Sequence, residues 1–417
     1  MLRLLSALVA ALWMAAGAAA AQPVRIDKGR MDAALQQMVS AGRAAGVSAL
    51  VWQDGRERYF GAAGFADREA RRSMRRDTLV QIWSMTKPVT GVALMQLWEQ
   101  GRFRLDDPVA QYLPDFGEAR VQVGTDTAGR PLTRPPSRPM TIRDLMRHTA
   151  GLSYGMRADA PDAEFRRLDP LALSNDLPEM GRRLARVPLH FDPGAEWSYS
   201  VSVDVQALLV ETLTGQPFEA YVREHILAPL RMTDTGWTQP QDRLARFAAT
   251  YVVGADGKLA RQPDEQTLAM NFRPRRLTMG GAGLVSSVDD YMRFARMLLN
   301  GGQLDGARIL KPSTVRLMAS DHLDPAVTER IWLPSKGNVG FGLNFAVRTG
   351  PPKDSAENRG ATGEFFWDGA ASTLFWVDPA NRLTAVFFVQ KTPFEGRLHH
   401  DIREAVYGPD YLGPAAP

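Results

Sequence analysis

The chain has 417 residues, of which 45% are apolar, 23% are charged and none is cysteine. This composition excludes a disordered tail, a collagen-like fibre and a disulfide-stapled miniprotein, and the lack of cysteine excludes disulfides, zinc–thiolate sites, iron–sulfur clusters and thiol nucleophiles. The 50 Lys and Arg residues against 46 Asp and Glu leave a net charge of only +4, and because no long basic stripe carries interleaved aromatic residues, nucleic acid is not an expected partner.

Residues 1–21 have the pattern of a secretory signal peptide. A short basic start precedes an apolar run at residues 4–17, and residues 18–21 are small, as a cleavage site requires. The run is too short for a comfortable membrane span, and no cysteine offers a lipid attachment point. We expect cleavage before Gln22 and export to a bacterial periplasm, with no stable membrane anchor; a buried N-terminal helix is the alternative.

Two hairpin patterns lie near the ends of the mature chain. Residues 48–65 contain two short apolar or alternating runs around Asp54-Gly55. Residues 372–378 and 382–390 are similar runs on either side of a short turn that contains proline and asparagine. Both patterns are typical of antiparallel strand pairs.

The sequence between the hairpins is mainly helical in pattern. Apolar residues recur at helical spacing at residues 86–100, 203–214, 218–227 and 288–299. Residues 124–139, rich in Gly, Thr, Arg and Pro, are expected to form an extended loop. These patterns predict an α/β (α+β) protein, with a sheet domain formed by residues 22–110 and 270–417 and a mainly helical domain inserted at residues 111–269.

Ser84-Met85-Thr86-Lys87 is the only S-x-x-K sequence in the chain. Residues 88–98 continue a helix pattern, which places Ser84 at the first turn of that helix. At positions i and i+3 the hydroxyl and the amine share one helix face, less than one turn of about 5.4 Å apart. The helix N-terminus also offers free N–H donors beside a developing oxyanion. Ser84 is therefore a candidate nucleophile.

A lysine can activate such a serine only as a neutral amine. At pH 7 an ordinary lysine is neutral in about one part in 2,500, so freeing the amine costs about 4.6 kcal/mol. Lys87 must therefore be desolvated or share its proton with another base. Tyr199 follows the turn signal Pro193-Gly194 and precedes an apolar helix, which makes it the candidate partner.

A second candidate nucleophile is Ser153, because residues 151–155 fit the G-x-S-x-G pattern. A nucleophile elbow needs a buried strand before the serine and a helix after it. Residues 141–149 have the pattern of a capped helix instead, and residues 156–161 have that of a polar loop. We favour the interpretation that Gly151 makes a turn at the C-terminus of the preceding helix.

Beside the S-x-x-K tetrad, a series of ordered motifs runs through nearly all of the mature chain. They are Leu105-Asp106-Asp107-Pro108-Val109, Tyr112-Leu113-Pro114, Arg138-Pro139-Met140-Thr141-Ile142-Arg143-Asp144-Leu145, His148-Thr149-Ala150-Gly151-Leu152, Pro193-Gly194 with Tyr199-Ser200, Pro229-Leu230-Arg231-Met232-Thr233-Asp234-Thr235 and Gly280-Gly281-Ala282-Gly283-Leu284. In these motifs the chain resembles the class C-like branch of the β-lactamase and penicillin-binding-protein superfamily, and especially the family VIII carboxylesterases. The resemblance implies a β-lactamase/transpeptidase-like fold, in which an antiparallel sheet from both termini is flanked by helices. It also implies that His148 and Gly151 belong to a structural turn.

The same resemblance implies an acyl-serine mechanism. Ser84 would attack a carbonyl, Lys87 and Tyr199 would carry its proton to and from the leaving group, and water would release the acyl group. The third motif of the family aligns with residues 367–369, so that the backbone N–H groups of Ser84 and Ala370 would form the oxyanion hole. One such donor is worth about 2.7 to 4 kcal/mol.

Departures from the family pattern favour neutral esters over anionic β-lactams. Members that bind β-lactams have a cationic or donor side chain where this chain has Trp367, and Asp368 follows with a charge of the wrong sign. The superfamily's Tyr-x-Asn ends here in Val201, which has no amide. Both changes remove polar anchors for a substrate and add apolar surface.

Other side chains could belong to the site or to the core. Phe365 and Phe366 could line a pocket, although aromatic residues beside strands are mostly core. Asp204 lies five positions after Tyr199. We expect a surface or helix-capping role for it at least as strongly as a catalytic one. The candidate substrate-binding residues are Trp367, Asp368, Gly369 and Tyr154.

No metal or cofactor is expected. The six histidines lack an H-E-x-x-H spacing, and His399-His400-Asp401 is expected to lie on a solvated surface. The chain has no P-loop and no G-x-G-x-x-G sequence, which argues against phosphate and dinucleotide cofactors.

These observations support one hypothesis and two alternatives. The hypothesis is a serine carboxylesterase that acts on short-chain or compact esters and has a small-molecule ester as its partner. The first alternative is a β-lactamase or a D-amino-acid-specific peptidase at the same Ser84, against which Trp367 and Val201 stand. The second is a non-catalytic penicillin-binding-like sensor, which would not need to keep Ser84, Lys87 and Tyr199 together.

Overall fold

The computed structural model describes residues 24–411 and Gly413. The signal peptide that we expect at residues 1–21 lies outside the described residues. None of the helices in the described part combines the length and the apolar character that a membrane crossing demands.

The helices of the described residues are labelled α1 to α11 in chain order. They are Lys28–Ser40, Thr86–Glu99, Ile142–Met146, Ala160–Leu168, Leu177–Leu184, Ser202–Thr214, Phe218–Val222, Asp264–Ala269, Val288–Leu299, Pro312–Met318 and Gly396–Tyr407. A π-helical turn, Arg223–Leu227, continues α7. The four predicted helical segments are therefore confirmed as α2, α6, α7 with its π turn, and α9.

The strands of the same residues are labelled β1 to β19. They are Gly46–Gln53, Arg56–Asp67, Arg72–Ser73, Val80–Gln81, Val121–Thr125, Pro131–Arg134, Trp197–Ser198, Tyr251–Val253, Leu259–Arg261, Val285–Ser286, Gln303–Leu304, Ala307–Arg308, Arg330–Ile331, Val339–Phe341, Ala346–Arg348, Phe365–Asp368, Leu374–Asp378, Leu383–Val389 and Lys391–Thr392.

The main sheet joins the two ends of the chain. Its order is β14-β15-β16-β17-β18-β1-β2-β3, and every neighbouring pair is antiparallel. Both predicted hairpins are confirmed: β1 and β2 join at Asp54-Gly55, where φ is 53° and 77°, and β17 pairs with β18. Because β1 also pairs with β18, with Val47 opposite Val389, the two hairpins form one continuous sheet.

Helices cover both faces of this sheet. Every residue of β18 is buried, and strand side chains alternate between the two faces, so both faces of the sheet are covered at β18. α9 packs against β1, β17 and β18, whereas α1 packs against β1, β2 and α11. α2 is buried on nearly its whole surface and packs against α6 and α7, so the start of α2 is held rigidly inside the molecule.

The expected extended loop at residues 124–139 contains part of a hairpin. β5 pairs with β6, and the turn between them is held by the Asp126 carboxylate, which accepts from the backbone N–H of Ala128 at 2.9 Å and of Arg130 at 2.8 Å. The loop prediction is wrong for β6 and for the end of β5. Residues 122–134 include no buried side chain, and Leu132 is 51% exposed, so this part of the hairpin lacks the buried apolar face that marks a half-buried strand.

The segment His399-His400-Asp401 lies on α11, which turns an apolar face into the core. His399 is only 3% exposed, and its Nε2 atom lies 2.9 Å from the carbonyl oxygen of Ser372. The expectation of a solvated surface is therefore wrong for His399. The helical spacing of the neighbouring apolar residues explains its burial.

Candidate active site

Ser84 lies on a tight turn at the start of α2. The turn Trp83–Met85 is a 3-10 helix that runs directly into α2, and Ser84 is half-buried there. Trp83 has a φ of 49°, a left-handed conformation that is unfavourable by roughly 1–2 kcal/mol for a residue other than glycine. The Ile82 N–H donates to the Leu284 carbonyl at 2.9 Å and anchors the approach to this turn. Strain held in this way is common at functional sites.

Lys87 is buried and points back at Ser84. Its side chain is 1% exposed, and Nζ lies 3.1 Å from Ser84 Oγ and 2.7 Å from the carbonyl oxygen of Gly281. Burial lowers the pKa of the Lys87 ammonium to about 7, although the carboxylates of Asp204 and Asp368 act in the opposite direction. A far larger fraction of Lys87 than of an exposed lysine is therefore neutral at pH 7. The neutral amine can accept the Ser84 proton while it donates to Gly281.

Tyr199 faces both Lys87 and Trp367. Lys87 Nζ lies 4.7 Å from the centre of the Tyr199 ring, and the Trp367 indole N–H donates to Tyr199 Oη at 3.2 Å. Burial raises the pKa of the Tyr199 phenol, while hydrogen bonds with Ser84 and Trp367 act in the opposite direction. Tyr199 therefore remains protonated at neutral pH. Tyr199 can therefore relay a proton to a leaving group. Of the two residues, Lys87 is the stronger candidate for the base that accepts the Ser84 proton.

Asp204 belongs to this site rather than to the surface or to a helix cap. It is 1% exposed in the first turn of α6, and its Oδ1 atom accepts from the Gly281 N–H at 3.0 Å. The carbonyl of the same Gly281 accepts from Lys87, so Asp204 positions the segment that holds the lysine. Asp204 Oδ2 has no hydrogen-bond partner among the described residues.

The Gly280-Gly281 pair explains one motif that sequence reasoning had left without a role. A Cβ on Gly281 would lie 2.6 Å from Asp204 Oδ2 and 3.1 Å from Tyr154 Oη. A Cβ on Gly280 would lie 2.4 Å from the carbonyl oxygen of Val203. Any side chain at either position would therefore push this segment away from α6 and from Lys87.

The acid limb of the pH profile should report the protonation of Lys87. Because the reaction needs the neutral amine and its pKa is about 7, kcat/KM for an ester is expected to fall by about tenfold for each pH unit below that value. Measurement of kcat/KM between pH 5 and 9 checks this. A profile that stays flat down to pH 5 would contradict Lys87 as the base.

Asp204→Asn should move this acid limb to lower pH. The Asp204 carboxylate stabilises the Lys87 ammonium, so removing its charge favours the neutral amine at a lower pH. Asparagine keeps an oxygen that can accept from Gly281, which makes it a nearly isosteric control for the charge alone. An acid limb at unchanged pH would show that the charge of Asp204 does not act on Lys87.

The third motif ends beside the nucleophile turn. β16 carries Trp367 and Asp368, and Gly369 follows them. A Cβ on Gly369 would lie 2.6 Å from the carbonyl oxygen of Ile82 and 3.2 Å from Trp83 Cβ. Glycine is therefore needed where the strand end passes the residues before Ser84, and the exposed Ala370 comes next.

Asp368 does not present an uncompensated negative charge. Its carboxylate forms an ion pair with Lys336, and both side chains are nearly buried. The sequence-based expectation that its charge opposes anionic substrates therefore needs correction, because the ammonium of Lys336 neutralises it inside the protein. Lys336 comes from the turn before β14, and its approach to Asp368 was not foreseen.

The aromatic candidates divide between site and core. Tyr154 and Trp367 pack against the Tyr199 ring, with centroid distances of 5.4 Å and 5.2 Å. Phe365 packs instead against the buried ring of Phe345, and Phe366 lies under the Arg403 guanidinium. Only the first pair faces the reacting groups.

Ser153 lies in a different environment from Ser84. Its hydroxyl donates to Asp162 Oδ1, which also lies 2.8 Å from His190 Nε2. The serine thus donates to a carboxylate and not to a histidine base, and the residues before it form α3 and not a strand. Asp159, Asp162 and His190 are close enough to hold a metal, but both oxygens of Asp162 already accept from groups of the protein.

Comparison with known proteins identifies the family. The Beta-lactamase family profile matches residues 31–407. Esterase EstB of Burkholderia gladioli is 33% identical over 404 residues, which cover 91% of this chain and 94% of EstB. The solved structure of EstCE1, described as a hydrolase with promiscuous acyltransferase activity, gives a TM-score of 0.73 at 28% identity and covers 91% of this chain and 98% of EstCE1. Simvastatin synthase (LovD) of Aspergillus terreus gives a TM-score of 0.77 at 26% identity, with 90% and 97% covered.

The predicted β-lactamase/transpeptidase-like fold is confirmed by these structures. The family match spans the strands of the main sheet from both ends of the chain and the residues between them. The chain belongs to the beta-lactamase family and is a serine hydrolase of that superfamily with esterases among its relatives.

Proposed function

We propose that the protein is a family VIII-type carboxylesterase that hydrolyses short-chain or compact esters through an acyl intermediate on Ser84. The observation that carries the proposal is the indole of Trp367, which donates to Tyr199 at the position of the family's cationic side chain. A site without that cation lacks an anchor for the carboxylate of a β-lactam. The identity to an esterase over nearly the whole chain supports the same choice.

The geometry supports a two-step reaction. Ser84 Oγ attacks the ester carbonyl carbon and gives its proton to Lys87 Nζ, 3.1 Å away. When the C–O bond to the alcohol breaks, Tyr199 gives its phenolic proton to the leaving oxygen and takes one from Lys87. The N–H groups of Ser84 and Ala370 would stabilise the oxyanion, and water would hydrolyse the acyl-serine by the reverse proton path.

The two alternatives would both react at Ser84. A β-lactamase or D-amino-acid-specific peptidase would need a group that fixes a substrate carboxylate, and the nearby ammonium of Lys336 is already paired with Asp368. A non-catalytic sensor would acylate without turnover.

The substrate class can be tested with two chromogenic substrates. We expect kcat/KM for p-nitrophenyl butyrate to exceed that for a chromogenic cephalosporin by at least about a hundredfold, because the site lacks an unpaired cation for the cephalosporin carboxylate. A higher value for the cephalosporin would place the protein among the β-lactamases. A single burst of p-nitrophenol without turnover would support the sensor.

Acyl transfer to an alcohol is a second candidate activity. It is favoured by the aromatic side chains of Tyr154 and Trp367 around Tyr199, which offer apolar surface to an acceptor alcohol, and by the acyltransferase activity ascribed to EstCE1. The two reactions are distinguished by analysing the products formed from p-nitrophenyl butyrate in the presence of an added alcohol. Hydrolysis yields butyrate, whereas transfer yields the butyrate ester of that alcohol.

A further inference from the structure

Trp332 combines two unfavourable features. Its side chain is 54% exposed, although its large indole gains by burial. Its backbone has a φ of 70°, in the left-handed region that favours glycine. An aromatic residue kept in such a conformation and facing solvent suggests a role in binding.

The turn that carries Trp332 is anchored on both sides of the active site. β13 pairs in parallel with β7, which ends one residue before Tyr199. At the other end of the turn, Lys336 forms its ion pair with Asp368, the neighbour of Trp367. The turn therefore bridges the strand that leads to the catalytic tyrosine and the strand of the third motif.

Ser335 holds the strained residue inside this turn. The Ser335 N–H donates to the Trp332 carbonyl at 3.1 Å, and the Ser335 hydroxyl donates to the same oxygen at 2.6 Å. Two donors on one carbonyl fix the orientation of the peptide that follows Trp332. The backbone that carries the indole is thus held by two hydrogen bonds within the turn.

The indole of Trp332 reaches the ring of Tyr199. The two ring centroids lie 6.5 Å apart with an interplanar angle of 60°. Around Tyr199, Tyr154 and Trp367 are partly or fully buried, whereas Trp332 is open to solvent. Trp332 is therefore the aromatic side chain of this group that an incoming substrate meets first.

We propose that Trp332 is a specificity residue that packs against the alcohol portion of the ester, so that the enzyme prefers esters of aryl or other bulky apolar alcohols. The proposal rests on the proposed esterase function. Tyr199 protonates the leaving alcohol, which places the alcohol carbon atoms on the Tyr199 side of the reacting carbonyl. Trp332 offers apolar surface on that side, and the binding gain is proportional to the apolar area that leaves water.

The test compares 2-naphthyl butyrate with methyl butyrate, which share one acyl group. Trp332→Ala is expected to lower kcat/KM for the naphthyl ester by about tenfold, mainly through a higher KM, and to change the value for the methyl ester by less than about twofold. Comparing each ester between variants cancels the different reactivity of the two leaving groups. Trp332→Phe should restore most of the loss.

Two further variants serve as controls. Leu132→Ala removes a similarly exposed apolar side chain on the β5–β6 hairpin. It should leave kcat/KM unchanged for both esters. Trp332→Gly should lose the same selectivity without a lower Tm, because glycine adopts the left-handed conformation without steric conflict. A protein that keeps its Tm and loses selectivity excludes misfolding as the cause.

Each contrary outcome has a distinct meaning. If Trp332→Ala lowers kcat/KM equally for both butyrates, or for neither, the role of Trp332 is overturned while the esterase function stands. If instead the loss grows with acyl length in a series of p-nitrophenyl esters, Trp332 lies on the acyl side and the proposal is wrong. If the wild type hydrolyses no ester at all, the proposed function fails, and the inference fails with it.

Discussion

Ser84→Ala is expected to lower kcat/KM for p-nitrophenyl butyrate by about 10⁴-fold or more, whereas Ser153→Ala should retain activity within about threefold. The difference follows from the partners of the two hydroxyls. Ser84 Oγ has the Lys87 amine at 3.1 Å, while Ser153 Oγ donates to a carboxylate. Steady-state assays of both variants, with mass spectrometry for an acyl adduct on the wild type, check the assignment.

Ser153→Ala should instead be visible in stability. Asp162 is fully buried and would lose one of its hydrogen-bond donors, so the free energy of unfolding should fall by about 2 kcal/mol. Denaturant unfolding measures this loss. Ser84→Ala should lower the free energy of unfolding only slightly, because Ser84 is half-buried. Esterase activity that survives Ser84→Ala but not Ser153→Ala would reverse the assignment.

Local sequence was sufficient to select the candidate nucleophile and its candidate base. Ser84 and Lys87 are three positions apart at a helix start, so helix geometry alone brings them together. The two hairpins were likewise predictable, because each strand pair is joined by a short turn with its own residue preferences. In both cases the contacting residues are close in the sequence, and the local pattern carries the information.

The surroundings of Lys87 could not be predicted in the same way. Asp204 and Gly281 are 77 positions apart, and their contact depends on how the start of α6 packs against the segment before β10. Lys336 and Asp368 belong to different elements of the fold. The one local signal for this part of the site was the Gly280-Gly281 pair, whose lack of side chains indicates a close approach of the backbone to another element.

Strained backbone surrounds the reacting groups. Trp83 precedes the nucleophile with a φ of 49°, His148 packs under Tyr199 with a φ of 59°, and Trp332 faces Tyr199 with a φ of 70°. Such conformations each cost of order 1–3 kcal/mol and persist only where the surrounding structure holds them. Three of them around Ser84 and Tyr199 indicate that the fold gives up stability to fix the positions of these two side chains.

Tyr199→Phe is expected to lower kcat for p-nitrophenyl butyrate by about 10³-fold with little change in KM. The variant keeps the ring and its packing against Trp367 but loses the hydroxyl that hands a proton to the leaving group, and such proton transfer is worth 10²- to 10⁴-fold. Because Lys87 remains buried next to Ser84, slow acylation without the relay should persist. Stopped-flow and steady-state kinetics separate the acylation step from turnover.

The loss must be distinguished from a structural effect of a missing hydroxyl. Phenylalanine at position 199 leaves the Trp367 indole N–H without its acceptor, which should lower the free energy of unfolding by only about 1 kcal/mol. Tyr59→Phe is the matched control. Tyr59 lies on β2 of the main sheet, and its hydroxyl donates to Asp32 at 2.8 Å. The kcat of this variant should stay within about twofold of the wild-type value. A kcat for Tyr199→Phe as high as that of Tyr59→Phe would refute the proton relay, because the two variants lose the same chemical group and differ only in its place.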